Sequence, residues 1–216
     1  MVSGIPSELK SLFCLLHIDL VRILVRWDMY IKLYVDNTHR ARLLSTVDKN
    51  FFSTISSVLS DDVVTGIGRM TDATTTGKYN NLVIRRLVDK SKSSGYDDLA
   101  TDLMNKLEVI NTVCRPIRLI RDKHLAHRDL EMAQLPKLTL STDVIQNTLD
   151  GIMDFMNTFC RYFNKSHTIA YCGVITDFGS GSHFIKSLRR IVEHRRLESE
   201  DMVPEVGYLS NEFRDA

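Results

Sequence analysis

The chain has 216 residues, 44% hydrophobic and 25% charged, with a formal net charge of +1 from 28 basic and 27 acidic residues. That length suits one large domain or two small ones and is enough to bury a sizeable core. The near-balance of charge excludes a uniform basic coat for nucleic acid, and ten Gly with four Pro leave too little turn punctuation for a many-stranded sandwich or barrel.

Apolar residues at Leu9, Leu12, Phe13, Leu16, Leu20, Ile23, Leu24, Trp27, Ile31 and Tyr34 hold a 3.6-residue period. They predict a first helix of about 28 residues, capped by Ser7 just after Pro6. His17 sits at the edge of this stripe and reads as structural. Met1–Lys10 lacks the basic leader of a signal peptide. His17, Asp19 and Arg22 interrupt the apolar run Leu12–Val25, which is too short and too charged for the ~20 residues a membrane span needs. Residues 36–50 are polar and read as a connection with a short helical piece. Phe51, Phe52, Ile55, Val58 and Leu59 begin a helix that Asp61-Asp62 breaks or recaps, and Val63, Val64, Ile67 and Met70 continue its period.

Residues 71–81 read as a loop. Its Gly77-Lys78 is not a phosphate loop, because position 72 is Asp and position 79 is Tyr. Leu82–Asp89 gives a helical turn or two. A long helix is expected from Tyr96 to Arg128 on the stripe Leu99, Leu103, Leu107, Ile110, Val113, Cys114, Ile117 and Ile120, with a kink at Pro116. After a connector at 129–141, Asp143 and Gln146 resemble a capping box. Ile145, Leu149, Ile152, Met156, Phe159 and Phe163 then step by three and four as a bundle seam. Gly179-Ser180-Gly181-Ser182 reads as a loop and cap before a last helix to about Leu197, and residues 198–216 form an acidic tail. With no internal repeat and no strand pattern longer than a few residues, the prediction is all-α. It is a four-helix bundle with additional short helices over residues 1–166 and an extension with one short helix over 167–216.

The cysteines Cys14, Cys114, Cys160 and Cys172 form no C-x-x-C pair and read as buried thiols of a cytoplasmic protein. One segment stands apart. Residues 115–129 hold four Arg, one Lys and two His on a helix whose other face must be buried. Arg121 falls four residues after Ile117, on or beside the stripe, and His124 follows three later. An inward-leaning Arg is costly unless it is paired or meets an anion, and its planar guanidinium suits phosphate.

Arg121-Asp122 followed after four residues by His127 resembles the R-x(4–6)-H signature of HEPN domains. The longer string Arg-Asp-Lys-x-x-Ala-His-x-Asp resembles the AbiU-type branch linked to abortive phage infection. Trp27 and Tyr30, Phe51-Phe52, Gly68-Arg69-Met70-Thr71-Asp72 and Asn81-Leu82 are similar to that branch too, over roughly residues 10–165. The resemblance implies an HEPN-like bundle that dimerises with two R…H motifs at its interface. It also implies a metal-independent ribonuclease without a cofactor, acting as a toxin in antiviral defence. Arg121 and His127 would be catalytic, leaving a 2′,3′-cyclic phosphate and a 5′-hydroxyl. The alternative is a noncatalytic HEPN module that binds RNA, a nucleotide or a partner protein. Some relatives carry, two residues after the His, a Tyr modified by a nucleotidyltransferase partner. Here that position is Asp129, so an antitoxin or regulatory protein would have to act otherwise.

Six positions along an ideal α-helix set Arg121 and His127 roughly 120° apart. Either the helix loosens near His127 or two subunits combine their residues, and the latter is the expectation here. Asp122 either orients a neighbour or is a solvated helix residue. His124 is either accessory to the site or packed. Arg118, Lys123 and Arg128 are candidate RNA contacts, with surface charge as the alternative. His124 and His127 have a spacing that suits a metal, but no carboxylate or Cys completes a set, so no metal is expected. Residues 115–128 carry five basic side chains against one acidic, and the tail from 198 is net −5. The even charge is therefore a cancellation that leaves a compact basic cleft.

Overall fold

The computed structural model describes residues 4–126, 140–163 and 181–200. Helix α1 spans Ser7–Tyr30 and continues as a π-helical turn, Ile31–Val35. Helix α2 spans Thr38–Thr71, and a two-stranded hairpin pairs β1 (Thr75–Thr76) with β2 (Tyr79–Asn80). Then come α3 (Arg85–Ser93), α4 (Asp97–Val113), α5 (Arg115–Ile120) and a second π-helical stretch, Arg121–Ala126. Helices α6 (Thr142–Phe163) and α7 (Gly181–Ser199) complete the described chain. Among the described residues, the hairpin is the only sheet, so the all-α expectation holds. No helix among them is long and apolar enough to cross a membrane.

The chain divides into two compact units, one of Met1–Tyr30 with Ser56–Val174 and one of Ile31–Ile55 with Ile175–Ala216. In the first, α4 packs against α3 and α6, and α1 packs against the same two helices. The apolar stripe of α1 is its buried face, and the seam of α6 is buried from Ile145 through Phe159. Each such side chain contributes about 1.5–3 kcal/mol on burial. Phe13 stacks on Phe159 at 5.1 Å, and Trp27 Nε1 donates to Gln146 Oε1 at 2.7 Å, so α1 and α6 share both an apolar and a polar contact. Lys106 on α4 pairs with Asp154 on α6. That pairing, mainly its hydrogen bond, holds the Asp154 carboxyl below the usual carboxylate range.

The second unit has its own core of Leu33, Leu44, Phe52, Ile185 and Leu188. Tyr34 donates its hydroxyl to the Phe52 carbonyl at 3.0 Å, and α7 packs on the first π-helical turn.

Several boundaries differ from the sequence reading. Residues 38–47, expected to be a connection with only a short helical piece, are helical throughout. Asn37 caps them, its Oδ1 accepting from the His39 and Arg40 amides, and Leu44 gives them a place in the second core. The break lies at Asp48 (φ −160°, ψ 101°), whose Oδ1 takes the Phe51 amide at 2.9 Å and so recaps the helix there. Asp61-Asp62 break nothing, and Asp62 instead pairs with Arg26 of α1 at 3.1 Å. The first helical bond of α1 runs from the Lys10 amide to the Pro6 carbonyl, so Ser7 lies inside the helix and is not its cap. In α6 the cap is Ser141, whose Oγ accepts from the Val144 amide at 3.3 Å. Asp143 lies in the first turn, and Gln146 bonds Trp27 and Asp150 instead of closing a capping box.

The long helix does bend before Pro116. Cys114 (φ −83°, ψ −3°) separates α4 from α5, while helical bonds continue on both sides, from Cys114 to Ile110 and from Arg118 to Cys114. Residues 71–81 hold the hairpin as well as loop. Gly77 has a positive φ of 56°, which a glycine adopts without strain, and Gly77-Lys78 is its two-residue turn. Cys114 and Cys160 are buried, but Cys14 is exposed. Burial, and then the neighbouring Cys14, push the Cys160 thiol up to about 11. The connector at 129–139, Cys172, the Gly-Ser residues 179–180 and the tail from 201 lie outside the described residues.

Candidate functional site

The C-terminal turn of α2 and the helix after Pro116 face each other in the first unit. They approach closely at Gly68. A Cβ on Gly68 would stand 2.6 Å from both Cδ and Nη1 of Arg121, so glycine leaves the room in which that side chain lies. Gly66, one turn N-terminal to the core residue Met70, gives the same kind of room to Ile23 of α1, whose Cγ1 would be 2.7 Å from an added Cβ. The two glycines thus let α2 approach α1 and Arg121 more closely than any other residue would allow.

Arg121 is only 14% exposed, and its guanidinium is held by carboxylates. Nη1 donates to Asp72 Oδ2 at 2.6 Å, and Nε donates to Asp122 Oδ1 at 2.7 Å. Nη2 also lies 2.6 Å from that oxygen. Burial works against the charge. The hydrogen bonds and attraction of Asp72 and Asp122 outweigh it, so the Arg121 pKa is raised above its ordinary value. Two of the five guanidinium donors are hydrogen-bonded to these carboxylates.

Arg118, one turn earlier, is placed by the same end of α2. Its Nε donates to Thr71 Oγ1 at 3.2 Å, and its Nη2 donates to the Thr71 carbonyl and to Asn111 Oδ1, the latter at 2.6 Å. Thr71 is buried and lies 3.2 Å from Cys114 Sγ through its hydroxyl. The string Gly68-Arg69-Met70-Thr71-Asp72 therefore has a physical meaning. Gly68 makes room for Arg121, Met70 fills the core, Thr71 anchors Arg118 and Asp72 pairs with Arg121.

The segment that begins at Arg121 is wound as a π-helix to Ala126. Such loosened turns are rare and concentrate at functional sites. The winding departs from the ideal α-helix on which the roughly 120° separation of Arg121 and His127 is based. His124 lies in this stretch, and its Nε2 is buried with no hydrogen-bond partner among the described residues. Asp122 and Lys123 are exposed, and Leu119 between the two arginines is 49% exposed. His127 and Arg128 lie outside the described residues. Among the described residues, no group of three or more His, Cys, Asp and Glu side chains is placed to hold a metal ion.

The upstream residues of the resemblance are placed as follows. Trp27 is buried and stacks on Tyr30 at 5.4 Å, and both line a pocket of about 220 Å³ with Ile120 and Ile145. Phe52 is in the second core, and Phe51 is exposed. Asn81 donates through Nδ2 to the Ala73 carbonyl and Thr76 Oγ1 and so braces the hairpin.

The family model described as AbiU2, of HEPN type, matches residues 6–178. The chain belongs to the AbiU2 family. It is an abortive-infection protein of HEPN type with an all-α HEPN-like fold. No curated protein and no solved structure matches it. The match covers every residue on which the AbiU2 resemblance rests, from Trp27 through Gly68–Asp72 to the Arg121–Asp129 segment.

Asp72 is the site residue that sequence reasoning missed as a partner of Arg121. A pairing across 49 positions leaves no trace in local periodicity. The signal available was Gly68 itself, a glycine inside a helix at a cost of about 1 kcal/mol relative to Ala, which needs a packing reason.

Proposed function

We propose that this AbiU2 chain is a metal-independent endoribonuclease in which Arg121 and His127 act on one RNA phosphate. The observation that carries this reading is the side chain of Arg121. It occupies a notch made for it by Gly68, held from two directions by Asp72 and Asp122, where a purely structural bundle would place an apolar residue. A fixed guanidinium costs little reorganisation when charge develops on phosphoryl oxygens.

His127 takes the proton of the 2′-hydroxyl, and the 2′-oxygen bonds to the adjacent phosphorus. The bond from phosphorus to the 5′-oxygen breaks, and that oxygen leaves with a proton from an acid group, for which His124, whose Nε2 has no hydrogen-bond partner among the described residues, is the accessory candidate. The products are a 2′,3′-cyclic phosphate and a 5′-hydroxyl. Arg121 with its two carboxylates carries a net charge of −1, so a phosphate needs further cations. Lys123, Arg128 and the second copy in a homodimer supply them. The exposed Asp122 yields to the phosphate, while Asp72 keeps the guanidinium in place. A toxin role in phage defence is part of this reading, supported by the family's link to abortive infection.

A second reading keeps the HEPN fold without the chemistry, as a module binding RNA, a nucleotide or a partner protein. The pairing of Arg121 with two carboxylates is what favours it, since a satisfied ion pair has a structural use of its own. One assay separates the two. Labelled RNA is incubated in EDTA with the wild type, Arg121→Ala and His127→Ala. Cleavage that both substitutions abolish supports the ribonuclease, and RNA left intact at every protein concentration supports the binding module.

A further inference from the structure

A groove of about 760 Å³ opens beside the Arg121 site, within the ~300–1,000 Å³ typical of small-molecule sites. Asp72 belongs to both, since it lines the groove and pairs with Arg121. Arg22, Arg26 and Arg69 line it from α1 and α2, and the hairpin contributes Tyr79 and Asn80. Asp19 pairs with Arg22 at 3.4 Å and Asp62 with Arg26 at 3.1 Å, so those charges are largely spent along the wall. Arg69 differs. It is exposed, it has no ion-pair partner among the described residues, and it lies in the last turn of α2, three residues before Asp72.

Tyr79 is 67% exposed, which is unusual for an aromatic side chain, yet the hairpin that carries it is firmly braced. Arg86 donates through Nη2 to the Thr74 carbonyl at 2.6 Å and to Asn80 Oδ1 at 3.0 Å, and through Nε to the Asn81 carbonyl at 2.5 Å. Lys78 Nζ lies 5.5 Å from the Tyr79 ring centroid and adds a cation at the same tip. A solvated ring on a braced hairpin, beside an arginine with no ion-pair partner among the described residues, is the combination with which proteins hold single-stranded nucleic acid, the ring stacking on a base and the cation meeting a phosphate.

We propose that this groove is a binding subsite for single-stranded RNA. Tyr79 stacks on one base, Arg69 holds a neighbouring phosphate, and the strand passes by way of Asp72 to Arg121. The proposal rests on the ribonuclease reading for its choice of ligand, but its test does not need cleavage.

The probe is a fluorescently labelled, mixed-sequence 12-nucleotide single strand made entirely of 2′-O-methyl RNA, which cannot be cut by 2′-hydroxyl attack. Its binding to the full chain is followed by anisotropy in EDTA. Tyr79→Ala is expected to weaken binding about tenfold, and Tyr79→Phe by less than about twofold. Arg69→Ala is expected to lower the slope of log affinity against log salt by about one. A duplex of the same sequence binds more weakly than the single strand. No binding by the wild type, equal binding of duplex and single strand, or unchanged affinity in Tyr79→Ala with an unchanged melting temperature overturns the subsite. If the predicted binding pattern appears while ordinary RNA is never cut, the subsite stands and the catalytic reading fails. If RNA is cut but Tyr79→Ala binds and cuts like the wild type, the reverse holds.

Discussion

Gly68 on α2 and Asp72 just beyond its end decide where Arg121 points. Gly68 supplies the space and Asp72 the partner, and each makes a separate prediction. In Gly68→Ala the new Cβ would lie 2.6 Å from Arg121, so the guanidinium must leave its notch. The helix itself gains up to about 1 kcal/mol from Ala over Gly. Cleavage should therefore fall about a hundredfold, the order expected for a misplaced catalytic group, while the melting temperature changes little. Activity and thermal melts on the same preparation check this. Asp72→Ala removes a carboxylate that is 30% exposed from a half-buried arginine and should cost about 1–3 kcal/mol in urea unfolding. Asp122→Ala removes a 52% exposed, sequence-adjacent carboxylate and should cost less than about 1 kcal/mol. Equal costs would mean that Asp72 does not anchor the pair.

At the scale of the elements, α1 and α6 were legible because their burial is local and periodic. The stripe from Leu9 to Trp27 and the seam from Ile145 to Phe159 are buried as the spacing requires. Residues 38–47 were not legible, because a polar stretch becomes helical through its Asn37 cap and a second core that no local period announces. The site shows the same division. Arg121 stood out as a charge beside an apolar stripe, but its partner Asp72, the anchoring of Arg118 by Thr71 and the π winding after Ile120 are tertiary facts.

Helix α1 also carries a pH prediction. His17 stacks on Phe13 at 5.9 Å, and burial lowers its pKa from the ordinary 6.5. The unfolded chain then binds the proton more readily than the folded one, so stability falls as pH drops through the unfolded value of 6.5 toward the folded value. The melting temperature should decline as pH falls below about 6.5, and His17→Gln should flatten that decline. The depressed pKa of Asp154 contributes only at lower pH, because its stabilisation is lost as pH falls below the usual carboxylate range. An unchanged slope in His17→Gln would show that other groups set the acid sensitivity.

For the whole molecule, a net charge of +1 conceals a division of labour. Arg118 serves the fold through Thr71 and Asn111, and Arg121 is already matched by two carboxylates. On the proposed function, Lys123, Arg128, Arg69 of the groove and a second copy bring the cations that recruit RNA. If each site takes Arg121 from one copy and His127 from the other, a mixture of Arg121→Ala and His127→Ala chains should recover about a quarter of wild-type activity. Half of the randomly paired dimers would then be mixed, and each would hold one intact site. Mixing after unfolding and refolding together checks this, and no recovery places both residues of a site in one chain.

The central claim is that Arg121 and His127 cleave RNA by 2′-hydroxyl attack without a metal. It is tested most directly by the ends of the products. Purified wild-type protein is incubated with RNA in EDTA, and the fragments are analysed by mass spectrometry. The account predicts a 2′,3′-cyclic phosphate on one fragment and a 5′-hydroxyl on the next, both lost in Arg121→Ala and His127→Ala. Fragments ending in a 3′-hydroxyl and a 5′-phosphate, or cleavage that appears only when a divalent cation is restored, would contradict it.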